Sequence, residues 1–173
     1  MQTLLASLNS RAYWWFIAWI GLGLIGVALY YQYVLGEEPC QVCIQARLWV
    51  IAFILTALVM IFTSRIKLVS GVANLMVMGC AVGLGNRAWI LYQLENGVGH
   101  GSCEFQLGMP DWLAVDRWFP ALFEVRNLCS FTPDMWFGLS MAEGLVIAAS
   151  VIGFLALAGL LASLRGTPQT ARL

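Results

Sequence analysis

The chain has 173 residues, 61% hydrophobic and 10% charged, with nine Lys and Arg balancing nine Asp and Glu. Soluble domains carry roughly 25% charged residues, so this composition and a mean hydropathy of +0.81 exclude a water-facing globule. Zero net charge with no basic run excludes nucleic-acid binding by bulk electrostatics, leaving a single membrane-embedded domain over 1–173 as the expectation.

Runs of apolar residues predict an all-α membrane protein, a bundle of four transmembrane helices at about 12–35, 48–64, 68–93 and 144–164. Each approaches the roughly 20 residues a helix needs to cross about 30 Å of hydrocarbon. The first run is longer than the roughly 7–15 apolar residues of a cleaved signal, so it reads as a retained helix. It ends in Tyr30, Tyr31 and Tyr33, residues suited to the membrane–water interface. A short loop at 36–47 follows, carrying Cys40 and Cys43. The second run is the shortest, rising about 25 Å at ~1.5 Å per residue. Arg47 is accordingly expected at the membrane surface, its stem along the helix. The third run holds Cys80 near its middle and Arg87 toward its end.

A long loop at 95–143 separates the third and fourth helices. Within it MPDWLAVDRWFPALF (109–123) lacks the alternation of a strand. Its Trp112, Leu113, Val115, Phe119, Leu122 and Phe123 suit a short interfacial amphipathic helix broken near Pro120. An ordered cap over the bundle is the alternative reading.

The charges orient the bundle. Arg11, Arg65, Lys67, Arg165 and Arg172 fall on one side of the four crossings, where no acid occurs. All nine acids fall opposite, so the positive-inside rule places both termini in the cytoplasm and the loops at 36–47 and 95–143 outside. No helix carries a central acid or paired charges of the kind an ion or proton pathway uses.

Four of the five cysteines lie in the outer loops: Cys40, Cys43, Cys103 and Cys129. Cys80, within a helix, reads as a small apolar packing residue. Cys40-Gln41-Val42-Cys43 sits at a helix start, where free backbone N–H groups stabilise a thiolate. Arg47, one turn beyond Cys43, adds positive charge on the same face. These features favour thiol–disulfide exchange. A structural membrane protein stapled by disulfides in its outer loops is the runner-up. An all-cysteine zinc site needs two close pairs, and Cys103 and Cys129 are far apart, so no metal is expected. Two redox-active couples on one membrane face suggest a relay from a soluble protein dithiol to an acceptor in the lipid.

Cys40-x-x-Cys43-Ile-x-x-Arg47, the two further loop cysteines and WLAVDRWFP (112–120) together resemble the DsbB family of bacterial inner-membrane, quinone-dependent disulfide oxidases. FGLSMAEGL (137–145) and Arg87-Ala-Trp-Ile-Leu-Tyr-Gln93 are similar to further stretches of that family. The resemblance implies that Cys40 and Cys43 form one redox-active disulfide, and Cys103 and Cys129 the other. It implies ubiquinone or menaquinone as acceptor, with Cys43 against the quinone ring and Arg47 binding and polarising it. Arg87 is a second quinone-binding candidate, which interfacial snorkelling explains equally well. The implied partners are a DsbA-like periplasmic thiol oxidase, the membrane quinone pool and the lipid bilayer. Cys103 would form the mixed disulfide with the DsbA-like protein, and Cys129 would exchange with Cys40. The implied location is the bacterial inner membrane, with the active cysteines facing the periplasm.

Overall fold

The computed structural model describes residues 10–63, 67–98, 115–127, 138 and 140–164. Four long helices carry the fold: α1 (Arg11–Tyr33), α2 (Gln41–Thr63), α3 (Lys67–Glu95) and, last in the chain, α6 (Met141–Leu164). Two single turns, α4 (Val115–Trp118) and α5 (Pro120–Phe123), lie between α3 and α6. All four long helices are long and apolar enough to cross a membrane, and no strand occurs among the described residues. The expected all-α, four-helix membrane architecture is the one observed.

Two helix starts correct the boundaries expected from charge. The second helix begins at Gln41, seven residues ahead of the expected 48, so Arg47 and Cys43 lie inside it. Pro39 precedes it, and the Cys40 carbonyl accepts from Ile44 N–H at 3.0 Å to open the first turn. Arg47 does not mark the helix end because its guanidinium is buried with hydrogen-bond partners. The last helix begins at Met141, ahead of the expected 144. Glu143 lies inside it as half of a capping box. Ser140 Oγ accepts from Glu143 N–H at 3.2 Å, and Glu143 Oε2 accepts from Ser140 N–H at 3.0 Å.

Lipid offers no hydrophobic drive between helices, so packing rests on close approach by small residues and on polar ties. α3 packs against both α2 and α6, and α1 packs against α2. Gly83 of α3 lies under Trp49 of α2, where a Cβ would come within 2.6 Å of the indole ring. Ala73, Ala81, Ala88, Ala149 and Ala156 are likewise buried on α3 and α6. Tyr13 Oη lies 2.9 Å from Asn74 Oδ1 and 3.0 Å from the Leu155 carbonyl, tying α1, α3 and α6. Asn74 completes the tie by donating from Nδ2 to the Ser70 carbonyl at 2.9 Å. The opposite faces are apolar and outward, with Phe62 83% and Phe154 73% exposed. Such a surface suits lipid and would be a liability in water.

The expected interfacial helix at 109–123 is described only from Val115 onward. The described part consists of α4 and α5, broken at Phe119, next to Pro120 as expected. Pro120 occupies the first turn of α5, where its missing N–H costs nothing. Phe123 is buried beside Ile44, which holds α5 against α2.

Candidate functional site

Cys40 and Cys43 form a disulfide at the head of α2, with Cα atoms 5.1 Å apart. Cys40 stands just ahead of the helix, and Cys43 N–H points to Cys40 Sγ at 3.3 Å. An N–H aimed at sulfur from a helix N-terminus favours negative charge there once the disulfide opens. The two sulfurs have different surroundings. Cys40 is 2% exposed and packs with Val42, Leu91 of α3 and Ala142 of α6. Cys43 is half-buried and lines a small cleft of about 40 Å³.

The cleft lies between α1, α2 and the start of α6. Its walls are apolar, from Leu24, Ile25 and Ala28 on α1 to Met141 and Leu145 on α6. Cys43 and Arg47 supply its polar chemistry. Arg47 is buried among the helices, only 7% exposed. Nη1 donates to Gln32 Oε1 at 2.7 Å and to the Leu122 carbonyl at 2.9 Å, and Nη2 reaches the Ala28 carbonyl at 3.4 Å. A buried cation survives when acceptors replace its water shell, and these three do so.

The segment between α3 and α6 reaches this site through its backbone. Arg126 N–H and Asn127 N–H both approach the Pro39 carbonyl, at 3.0 and 3.3 Å. Cys40 and Asn127 form an isolated parallel bridge. The chain is thereby fixed beside Cys40 at a point two residues before position 129. Next to the bridge, Arg126 pairs with Glu124 at 2.6 Å on the surface. That hydrogen-bonded carboxylate raises the Arg126 pKa, though exposed pairs of this kind contribute little stability.

The structure thus brings Cys40, Cys43 and Arg47 together. Arg87 is half-buried on α3, one turn before Leu91, and does not line the cleft. Cys103 and Cys129 lie outside the described residues. Cys80 is a free cysteine buried in the main core with Ala81 and Val77, away from the cleft. Gln32 was not singled out in the sequence, and Tyr33 only as an interfacial aromatic. The only signal for Gln32 is its position as a polar residue within the uncharged run that forms α1.

Comparison with known proteins places these features in a family. A family model for disulfide bond formation protein DsbB matches residues 10–160. Disulfide bond formation protein B 2 of Pseudomonas aeruginosa is 34% identical over 144 residues, covering 82% of this chain and 85% of its own. Disulfide bond formation protein B of Shewanella denitrificans is 31% identical over 150 residues, covering 86% and 85%. The protein of the same name from Shewanella frigidimarina is 30% identical over 160 residues, covering 91% and 94%.

Proposed function

This chain belongs to the DsbB family of disulfide bond formation proteins, and on that premise we propose that it is a quinone-dependent protein disulfide oxidase of the bacterial inner membrane. It takes electrons from a reduced DsbA-like periplasmic dithiol protein and passes them through two cysteine pairs to ubiquinone or menaquinone, and so to the respiratory chain. The supporting observation is the asymmetry at the head of α2. Cys43 shares an apolar cleft with a buried arginine, while Cys40 is flanked by the second outer segment. The distribution of Lys and Arg supports cytoplasmic termini and periplasmic cysteines.

The donor set fits a quinone. Arg47 offers charged N–H donors suited to a ring oxygen, and the aliphatic walls suit the ring and its isoprenoid tail. At about 40 Å³ the cleft is narrow, so ring entry requires flexible side chains such as Met141 to give way. When bound, the quinone supplies a two-electron, two-proton acceptor. The remaining steps belong to this chain. A thiolate of the partner attacks Cys103 Sγ of a Cys103–Cys129 disulfide and releases the Cys129 thiolate. The partner's second thiol resolves the mixed disulfide, leaving the partner oxidised and Cys103 reduced. The Cys129 thiolate attacks Cys40 Sγ, the Cys40–Cys43 bond breaks, and Cys43 leaves as a thiolate in the cleft. The Cys103 thiol then displaces Cys40 from Cys129, restoring the outer disulfide and leaving Cys40 and Cys43 reduced. Arg47 stabilises the Cys43 thiolate and any negative charge developing beside it, an effect strengthened by the low dielectric of the bundle.

The test uses purified full-length protein in detergent with a reduced DsbA-like protein and a water-soluble quinone, followed by quinone absorbance. Quinone reduction that is abolished by Cys43→Ser and by Cys103→Ser is the expected result. Absence of reduction, or full activity in either variant, overturns the proposal.

A further inference from the structure

α5 is a single helical turn whose Pro120 carbonyl accepts from Glu124 N–H at 3.0 Å, while the last C=O groups of any helix lack intrahelical partners. Two consecutive carbonyls of this turn take their donors from the membrane helices instead. Gln32 Nε2 donates to the Ala121 carbonyl at 3.1 Å, and Tyr33 Oη donates to the same oxygen. Arg47 Nη1 donates to the neighbouring Leu122 carbonyl at 2.9 Å. Gln32 also joins these groups into one unit, because its Oε1 accepts from Arg47 Nη1 at 2.7 Å. An amide suits this place: it offers an acceptor to the guanidinium and a donor to the carbonyl at once. Six residues after Ala121, Asn127 forms its bridge with Cys40.

We infer that Gln32 and Tyr33 are positioning residues for exchange between the two outer cysteine pairs, latching the 120–123 turn so that Asn127 stays in register with Cys40. This inference rests on the proposed exchange between Cys129 and Cys40. Two residues of chain span at most about 7 Å, and disulfide-bonded Cα atoms lie roughly 4.4–6.8 Å apart. A backbone held at Asn127 therefore leaves the chain two residues later free to come within bonding reach of Cys40 without a long search. With the turn released, the same cysteine would search the volume open to a long loop, and its effective concentration at Cys40 would fall. Arg47 has a separate task in the cleft, so the latch is best tested through Gln32 and Tyr33.

The experiment uses full-length Cys43→Ser/Cys103→Ser protein in detergent, without quinone or partner. This background retains Cys40 and Cys129, together with buried Cys80. Equilibration with glutathione measures one balanced reaction: two protein thiols and one oxidised glutathione give a protein disulfide and two reduced glutathiones. The Cys40–Cys129 disulfide is expected to form readily when the latch is intact. Adding Gln32→Leu removes the bridging amide and should lower its equilibrium constant about tenfold, while Tyr33→Phe should lower it about threefold. Amide exchange at Arg126 and Asn127 should quicken in parallel, a readout independent of disulfide chemistry. Tyr33 is largely exposed and its replacement conservative, so Tyr33→Phe decides the matter if Gln32→Leu does not fold. An unchanged constant with unchanged amide exchange overturns the latch. Loss of melting temperature with the constant intact also overturns it, because it makes the contacts merely structural. No Cys40–Cys129 disulfide with the latch intact overturns the exchange reading itself.

Discussion

Replacing Arg47 by Met separates the two tasks of a buried cation. The change removes a guanidinium that is 7% exposed and makes two short hydrogen bonds, at 2.7 and 2.9 Å. Hydrogen bonds to charged groups contribute roughly 1.5–3 kcal/mol each, so the gross loss is about 3–6 kcal/mol. Against this, a buried charge carries a desolvation penalty of several kcal/mol, which Met avoids while filling similar volume. The terms nearly cancel, and the net change in stability should stay within about 2 kcal/mol. At roughly 2–4 °C per kcal/mol for chains of this size, the melting temperature should move by less than about 8 °C. No such cancellation operates on catalysis. Losing a preorganised donor from a low-dielectric site costs about 10²–10³ in rate. The assay pairs thermal unfolding in detergent with quinone-dependent turnover across a quinone titration. Arg47→Lys, which keeps the charge but loses the planar fork, should fall between wild type and Arg47→Met. The reasoning is refuted if Arg47→Met unfolds far below wild type while its folded fraction retains normal turnover.

Three smaller perturbations test other parts of the account. Cys80→Ala should leave the reactive thiol count and quinone reduction unchanged, since Cys80 is buried among α3 core residues; thiol titration of the native reduced protein checks this. Gly83→Val should destabilise the bundle by about 1–3 kcal/mol, because its Cβ would meet the Trp49 ring at 2.6 Å; a melting temperature equal to wild type would contradict that packing. Ser140→Ala should cost about 1 kcal/mol through loss of the α6 cap, measurable by thermal unfolding, with quinone affinity preserved.

The four spanning helices were legible because lipid-facing helices must be apolar over their length, and most of the charges fall between them or near their ends. The same rule misplaced two helix starts. Arg47 and Glu143 ended the uncharged runs, yet each has local partners that let the helix continue past it. Arg47 is met by Gln32 and two carbonyls, and Glu143 by the backbone of Ser140. Of these, only the Ser-x-x-Glu cap leaves a pattern in the sequence. The pairing of the CxxC with an arginine one turn later was equally visible, since helical spacing sets which side chains share a face. The latch was not legible. Its acceptors are the carbonyls of Ala121 and Leu122, and any residue at those positions offers the same oxygen. Nor could sequence spacing show that Asn127 would lie against Cys40, a contact made across more than eighty residues.

In the proposed reaction the paired cysteines themselves deliver electrons to a quinone. Its most direct test is an anaerobic experiment on fully reduced protein alone, mixed with excess water-soluble quinone and quenched in acid for thiol counting. The account predicts the loss of four thiols per chain, from Cys40, Cys43, Cys103 and Cys129, with one quinone reduced for every two thiols lost. A thiol count that stays constant while quinone is present, or quinone reduction that survives in Cys43→Ser protein, would contradict it.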